Sequence, residues 1–187
     1  MSFTSATIPG LVIIEPKLFK DNRGYFFEAY NEQVFSSSGI TYRFVQDNQS
    51  RSSYGVIRGL HYQLEPFAQS KLVRVIEGEI MDVALDLRKG SPFFGKHFSI
   101  ILSAENNKQL FIPPGFAHGF SVLTPYAVVL YKCDQFYNKE SEAGIKYNDP
   151  FLAIDWKIPA NDAIISEKDL NLPDFSECRN NFEWQEL

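Results

Sequence analysis

Three histidines, at positions 61, 97 and 118, are the only side chains here whose ordinary titration falls near neutral pH. His61 stands in Arg58-Gly59-Leu60-His61-Tyr62-Gln63, and His118 follows the turn-forming run Pro113-Pro114-Gly115-Phe116-Ala117. Their spacing does not supply the His-x-His plus third His of a metal-binding barrel, so no metal is expected. Arg58 and His61 are an odd number of residues apart. A regular strand would aim them at opposite faces, and a bulge or kink at Gly59 would bring them together. Lys71 shares a strand face with Val73 and Val75, which sets an ammonium among apolar side chains; it either has a task there or snorkels outward from an edge. Tyr131 follows the apolar run Ala127–Leu130, and both Tyr131 and His118 can project into one cavity from separate strands. Ser166-Glu167-Lys168-Asp169 has two readings, a helix capping box or a carboxylate that orients a histidine. By local sequence alone, Gln46-Asp47-Asn48 reads as a polar loop and Arg23 as a turn residue in Asp21-Asn22-Arg23-Gly24.

The elements that must carry these side chains are strands. Short apolar runs bounded by Gly, Pro, Asn and Asp recur along the chain, and helical periodicity beyond two or three turns is absent. Leu11–Ile14 and Tyr25–Tyr30 read as strands joined through a turn at Lys20–Gly24 into a hairpin, with a short helix at Glu32–Phe35. Lys71–Ile76 and Glu79–Leu87 about Glu77-Gly78 give the strongest hairpin signal. In the second of these, Met81, Val83, Leu85 and Leu87 share one face and Asp82, Ala84 and Asp86 the other. Further strands are expected at His97–Leu102, Gln109–Ile112, Gly119–Leu123 and Ala127–Gln135. After Asn138 the pattern is less regular, with Trp156, Pro159 and Pro173 breaking long elements, so short helices and loops should wrap the barrel. The fold class read from this is mainly all-β with short peripheral helices, a sandwich or barrel of which the jelly roll is the version whose interior can host a small-molecule site, in one domain spanning 1–187. Its core runs over about 8–173, with a polar tail beyond.

Composition narrows the function. A chain of 187 residues with 18 basic and 23 acidic side chains carries a net charge of −5, and no Lys/Arg-rich tract stands out, which argues against a nucleic-acid surface. Seventeen Phe and nine Tyr favour strands and aromatic-lined pockets. Cys133 and Cys178 form no CxxC motif and read as free thiols in a reducing compartment. No stretch has the length of a membrane span and no signal-peptide pattern opens the chain, so a cytoplasmic enzyme is the expectation.

Taken together, Gln46-Asp-Asn48, Arg58-Gly-Leu-His61-Tyr-Gln63, Lys71-Leu-Val-Arg74, Phe116-Ala-His118-Gly-Phe120 and Ser166-Glu-Lys-Asp169 resemble the dTDP-4-dehydrorhamnose 3,5-epimerase family. Asp86-Leu-Arg88, Ser91-Pro92, Gly95, Asn148-Asp149 and Trp156 extend the likeness from about Ile8 to Pro173. The resemblance implies a cupin-like jelly-roll β-barrel, a homodimeric, cofactor-free and metal-free enzyme that inverts carbons flanking the C4 ketone of a dTDP-4-keto-6-deoxyhexose. It makes His61 the base, Asp169 its hydrogen-bonded partner, Lys71 the cation at the enolate oxygen and Tyr131 the acid on the other face. His118 becomes a substrate contact near the ketone. Arg23, Glu28, Gln46, Asn48 and Arg58 become nucleotide and diphosphate contacts, Phe19 and Tyr137 flank the base or sugar, and Glu142 and Lys168 are further ligand contacts. Relatives acting at one carbon only carry the same His, Asp and Tyr, so regiochemistry stays open, as does a non-catalytic sugar-nucleotide-binding barrel. Aromatic edge strands such as Tyr25–Tyr30 could pair across a dimer.

Overall fold

The computed structural model describes residues 1–185. In chain order its elements are β1 (Ser2–Ser5), β2 (Val12–Glu15), β3 (Phe19–Asp21), β4 (Gly24–Phe26), α1 (Glu32–Ser37), β5 (Gln46–Ser53), β6 (Ile57–Gln63) and β7 (Lys71–Glu77). There follow β8 (Glu79–Asp86), β9 (His97–Ser103), β10 (Gln109–Ile112), β11 (Phe116–Val122), β12 (Tyr126–Cys133), β13 (Glu142–Gly144) and α2 (Glu167–Leu170). One sheet has the order β1-β2-β10-β7-β12-β5 and the other β13-β6-β11-β8-β9; β3 and β4 pair by themselves. The two large sheets close over a common core to which the first gives Val73, Val75 and Val129 and the second Ile80, Ala84 and Phe120. This is the expected jelly roll. Among the described residues no helix is long and apolar enough to cross a membrane.

Two further apolar layers explain why so many strands are buried on both sides. Outside the first sheet, Ile14, Leu72 and Phe111 pack against Phe35 of α1 and Ile40. Helix α1 starts where Asn31 Oδ1 accepts from the backbone N–H groups of Gln33 and Val34, which fixes its first turn. Outside the second sheet, Met81, Val83, Leu85 and Leu87 pack under Ile145, Leu152, Trp156 and Phe182. Full burial of an aliphatic side chain such as Leu85, at 0% exposure, contributes roughly 1.5–3 kcal/mol. The alternation along β8 is therefore as expected, with an outcome that hydropathy does not announce: its apolar face meets the outer wrap, and the face bearing Asp82 and Ala84 looks into the barrel.

Two expected hairpins pair differently. Strands β7 and β8 belong to different sheets, because β10 and β12 occupy both edges of β7 while β11 and β9 occupy those of β8. Gly78, at φ 75°, turns the chain from one sheet to the other, and a Cβ there would lie 2.2 Å from the Tyr126 carbonyl oxygen. Strand β2 pairs with β1 and β10, not with the Tyr25 segment. The turn at Asp21–Gly24 instead closes a short hairpin of its own, β3 with β4, and extended pairing ends at Phe26. Residues 174–185, expected as a polar tail, return to the body of the domain. Phe182 is buried, the backbones of Lys89 and Glu183 form an isolated parallel β-bridge, and Trp184 stacks on the Arg88 guanidinium 4.4 Å away.

Candidate active site

Between the sheets opens a cavity of about 400 Å³, a size suited to a small-molecule ligand. Strand β5 contributes Gln46 and Asn48, β6 Arg58 and His61, β7 Lys71, β11 His118 and β12 Tyr131, with Tyr137 and Glu142 at its edge. The Gln46-Asp47-Asn48 segment, expected as a loop, is the start of β5, paired with β12 from Cys133 to Tyr131. Polar alternation hid it: Gln46 and Asn48 face the cavity, the amide of Gln46 donating to Asn48 Oδ1 at 3.0 Å, and Asp47 faces outward to Lys132. Strand periodicity alone reads such a segment as solvated, because the pocket it lines is itself polar.

The odd spacing of Arg58 and His61 is resolved at Gly59. On β11 His118 stands opposite His61 and Phe120 opposite Arg58, so three residue steps on β6 match two on β11. That extra residue turns both side chains to one side. Gly59 has φ 114°, and a Cβ on it would come within 2.7 Å of Gly119 Cα and the His118 carbonyl oxygen. Only glycine fits this crossing. Arg58 is further steadied by its Nε, which donates to Ser52 Oγ at 3.0 Å.

His61 Nε2 lies 2.8 Å from Asp169 Oδ1. Burial works to raise the Asp169 carboxyl, yet the hydrogen bonds from His61, the Gly59 N–H and the Ser166 region bring it below the usual carboxylate range. An ionised carboxylate has no proton to give, so Nε2 is the protonated nitrogen and Nδ1 is left for a substrate. Half of the capping reading also holds: Ser166 caps α2 by accepting from the Asp169 N–H at 3.1 Å. The acid, however, does not return to the cap. Its second oxygen accepts from Gly59 N at 3.1 Å, tying the helix, the bulge and the histidine together.

Lys71 and Tyr131 belong to the other sheet. Lys71 is 9% exposed, its Nζ 3.4 Å from the His61 carbonyl oxygen and 6.0 Å from the Tyr131 ring centroid. Strand β7 is internal to its sheet, so this is not a snorkelling edge lysine. Burial pulls the Lys71 ammonium below its ordinary range, against the supporting fields of Cys133 and Asp82. Burial, with Cys133 nearby, pushes the Tyr131 phenol up while Arg58 opposes it, so that phenol keeps its proton at neutral pH. His118 is 6% exposed and its Nε2 lies 2.8 Å from Asp82 Oδ2. Sequence reasoning passed over Asp82; its signal was a carboxylate on a strand whose other face is wholly apolar.

At the mouth, the buried Gln63 side chain donates to the carbonyls of Phe67 and Phe136 at 2.7 and 3.2 Å and accepts from Asn138 N at 2.7 Å. It thereby pins the segment that carries Tyr137. Tyr137 OH donates to Glu142 Oε2 at 3.1 Å, and Lys168 pairs with Glu142 Oε1. Phe19, Arg23 and Glu28 are the residues the fold does not bring to this cavity. Phe19 and Arg23 line a separate depression on the β3–β4 hairpin, where Arg23 pairs with Asp21, and Glu28 accepts from Asn31. Chemically, the cavity sets a histidine on one wall against a protonated phenol and an ammonium on the other. That arrangement suits removal of a proton from one side of a carbon acid and return from the opposite side.

Comparison with known proteins gives a consistent picture. The family described as dTDP-4-dehydrorhamnose 3,5-epimerase matches residues 5–177. The dTDP-4-dehydrorhamnose 3,5-epimerase of Pseudomonas aeruginosa is 53% identical over 171 residues, 90% of this chain and 93% of its own. The crystal structure of the Elizabethkingia anophelis enzyme of that name superposes with a TM-score of 0.90 at 54% identity, covering 95% of this chain and 97% of its own. The dTDP-6-deoxy-D-glucose-3,5-epimerase of Legionella pneumophila, solved in complex with dTDP-4-keto-L-rhamnose, has a TM-score of 0.90 at 48% identity over 94% of this chain and 93% of its own.

Proposed function

The chain belongs to the dTDP-4-dehydrorhamnose 3,5-epimerase family and is an epimerase of dTDP-sugars, and from that premise we propose that it inverts both C3 and C5 of dTDP-4-dehydro-6-deoxy-D-glucose through the cavity between its sheets. His61 Nδ1 takes the proton from the carbon beside the ketone. The C–H electron pair forms the enolate double bond, and the ketone's π pair moves onto its oxygen, where Lys71 offsets the charge. Tyr131 returns a proton to the opposite face of the carbon. His61 then gives its proton to solvent and Tyr131 regains one, leaving an isomer and an unchanged enzyme.

The observation that carries this reading is His61 on one sheet, held by Asp169 of α2, facing Lys71 and Tyr131 on the other sheet across a single cavity. Arg58, Gln46 and Asn48 form the polar side of that cavity suited to the diphosphate and nucleotide, with the planar guanidinium able to bond phosphate oxygens in pairs. Tyr137 at the edge offers a ring face to the base or sugar, held by Glu142 and its partner Lys168.

The family-implied contacts Phe19, Arg23 and Glu28 fit this reading only in a homodimer. Phe19, Tyr25 and Phe26 are 54%, 57% and 66% exposed on the hairpin, an apolar surface suited to a second copy. There the hairpin would complete the neighbour's nucleotide end. Incubation with substrate in D2O tests the central claim: deuterium at both C3 and C5 is expected, incorporation at one carbon identifies a monoepimerase, and incorporation at neither overturns the proposal.

A further inference from the structure

Asp82 carries a carboxylate into the barrel at 0% exposure. The register of β8 with β11 sets Ala84 opposite His118 and Asp82 opposite Phe120, so Asp82 and His118 are diagonal neighbours on the inward face. Oδ2 meets His118 Nε2 at 2.8 Å, while Oδ1 makes no hydrogen bond with any described residue. A buried carboxylate with one oxygen unpartnered is costly, and a barrel serving stability alone would do better with an apolar residue there, like Ile80 and Ala84 on the same face.

Positive charge reaches Asp82 without forming an ion pair with it among the described residues. Across the barrel, Lys71 reaches the cavity from β7 and feels the Asp82 field. Its other neighbours are the His61 carbonyl oxygen from β6, the Tyr131 ring and the Cys133 thiol from β12, with Arg58 facing Tyr131. None of these supplies Lys71 with an anion. Asp82 is the carboxylate that supports its ammonium, and it is already engaged with His118.

Resting on the reading of this cavity as an epimerase site, we infer that Asp82 is a positioning residue for the keto-oxygen end of the substrate. It holds the proton of His118 on Nε2, so that Nδ1 faces a substrate hydroxyl, and it serves as counter-charge to the Lys71 ammonium. Asp82 touches no substrate atom. It acts through the two side chains that do.

The test is Asp82→Asn together with the nitrogen spectrum of the unaltered protein. In D82N, kcat should fall by about 10- to 100-fold with dTDP affinity kept, since the loss is confined to the reacting end. The alkaline limb of its kcat profile should move to lower pH, because Lys71 would shed its proton more readily without the nearby anion. In the parent, labelled with 15N-histidine, the His118 ring should carry its proton on Nε2. A D82N enzyme with parental kcat and parental pH profile overturns the inference. So does a His118 protonated only on Nδ1, a measurement that stands even if D82N does not fold. A parent that exchanges C3 and C5 protons while D82N behaves as the parent sinks the role of Asp82 and leaves the epimerase reading intact.

Discussion

His61 and His118 stand directly opposite one another on β6 and β11, and each directs Nε2 to a buried aspartate at the same distance, 2.8 Å. The two pairs differ in access to the cavity. The His61 side chain is 35% exposed and the His118 side chain 7%. A base must meet its carbon acid and exchange protons with water, so the more open of the two is suited to proton transfer and the enclosed one to orientation.

Asp169→Asn tests the first pair. The amide can offer Nε2 an N–H as readily as an acceptor, and the histidine then loses the fixed tautomer that leaves Nδ1 free. We expect kcat to fall by about 10²-fold or more with the fold retained, measured as initial epimerisation rate. The same variant has a stability signature. Because the folded carboxyl lies below its ordinary value of 3.8, its stabilising contribution is present above that value and is lost as pH falls through the folded one. D169N should therefore lose less stability than the parent on acidification below pH 4 or so, and equal acid sensitivity would contradict the ionised pair.

Gly59→Ala tests the bulge. The added methyl meets backbone atoms 2.7 Å away in a conformation that L side chains rarely adopt, so a loss of about 2 kcal/mol in unfolding free energy is expected from denaturant titration. Activity should drop in whatever fraction still folds, because Arg58 and His61 leave their common side. An active, equally stable G59A would show that the register shift is not what unites them.

Lys71→Met separates stability from catalysis. Replacing the buried ammonium by an apolar chain of similar length removes its desolvation cost but also withdraws the charge that supports Asp82, so unfolding free energy at pH 7 should change by less than about 1 kcal/mol while epimerisation collapses. The sign of the pH effect follows from the lowered folded value. Between it and the ordinary 10.5 the unfolded chain binds more protons, so the parent gains stability with rising pH across that window and K71M lacks this gain.

Gln63→Ala acts at the mouth. Loss of the amide frees the Phe136–Asn138 backbone, and with it Tyr137. We expect KM to rise by about 3- to 30-fold, with a smaller change in kcat. Steady-state kinetics decide it, and a change confined to kcat would place Gln63 nearer the chemistry.

The hairpin is tested by mixing. Arg23→Glu and His61→Asn variants, each inactive alone, should on subunit exchange recover about a quarter of the parental rate, because half the dimers then hold one complete site. No recovery would show that Arg23 does not serve a neighbouring copy's site.

Much of this molecule was written in local pattern. Alternation placed most of the strands, including the two faces of β8, since side chains on a strand point alternately up and down whatever lies beyond, but not β5, whose start reads as a polar loop. The glycine between Arg58 and His61 announced a break because odd spacing cannot otherwise serve one cavity. Resemblance to the family supplied the roles. Tertiary structure decided what depends on distant partners. Strand pairing is non-local, so Lys71–Ile76 and Glu79–Leu87 could look like a hairpin while belonging to opposite walls. Asp169 reaches His61 across 108 residues, and no local signal distinguishes that use of a carboxylate from a helix cap. Asp82 lies 36 residues from His118, on the strand face that hydropathy would turn to water and that the barrel turns inward. The sequence alone determined which side chains could do chemistry; closure of the two sheets determined which of them face each other, because only burial between walls converts separate polar residues into one site.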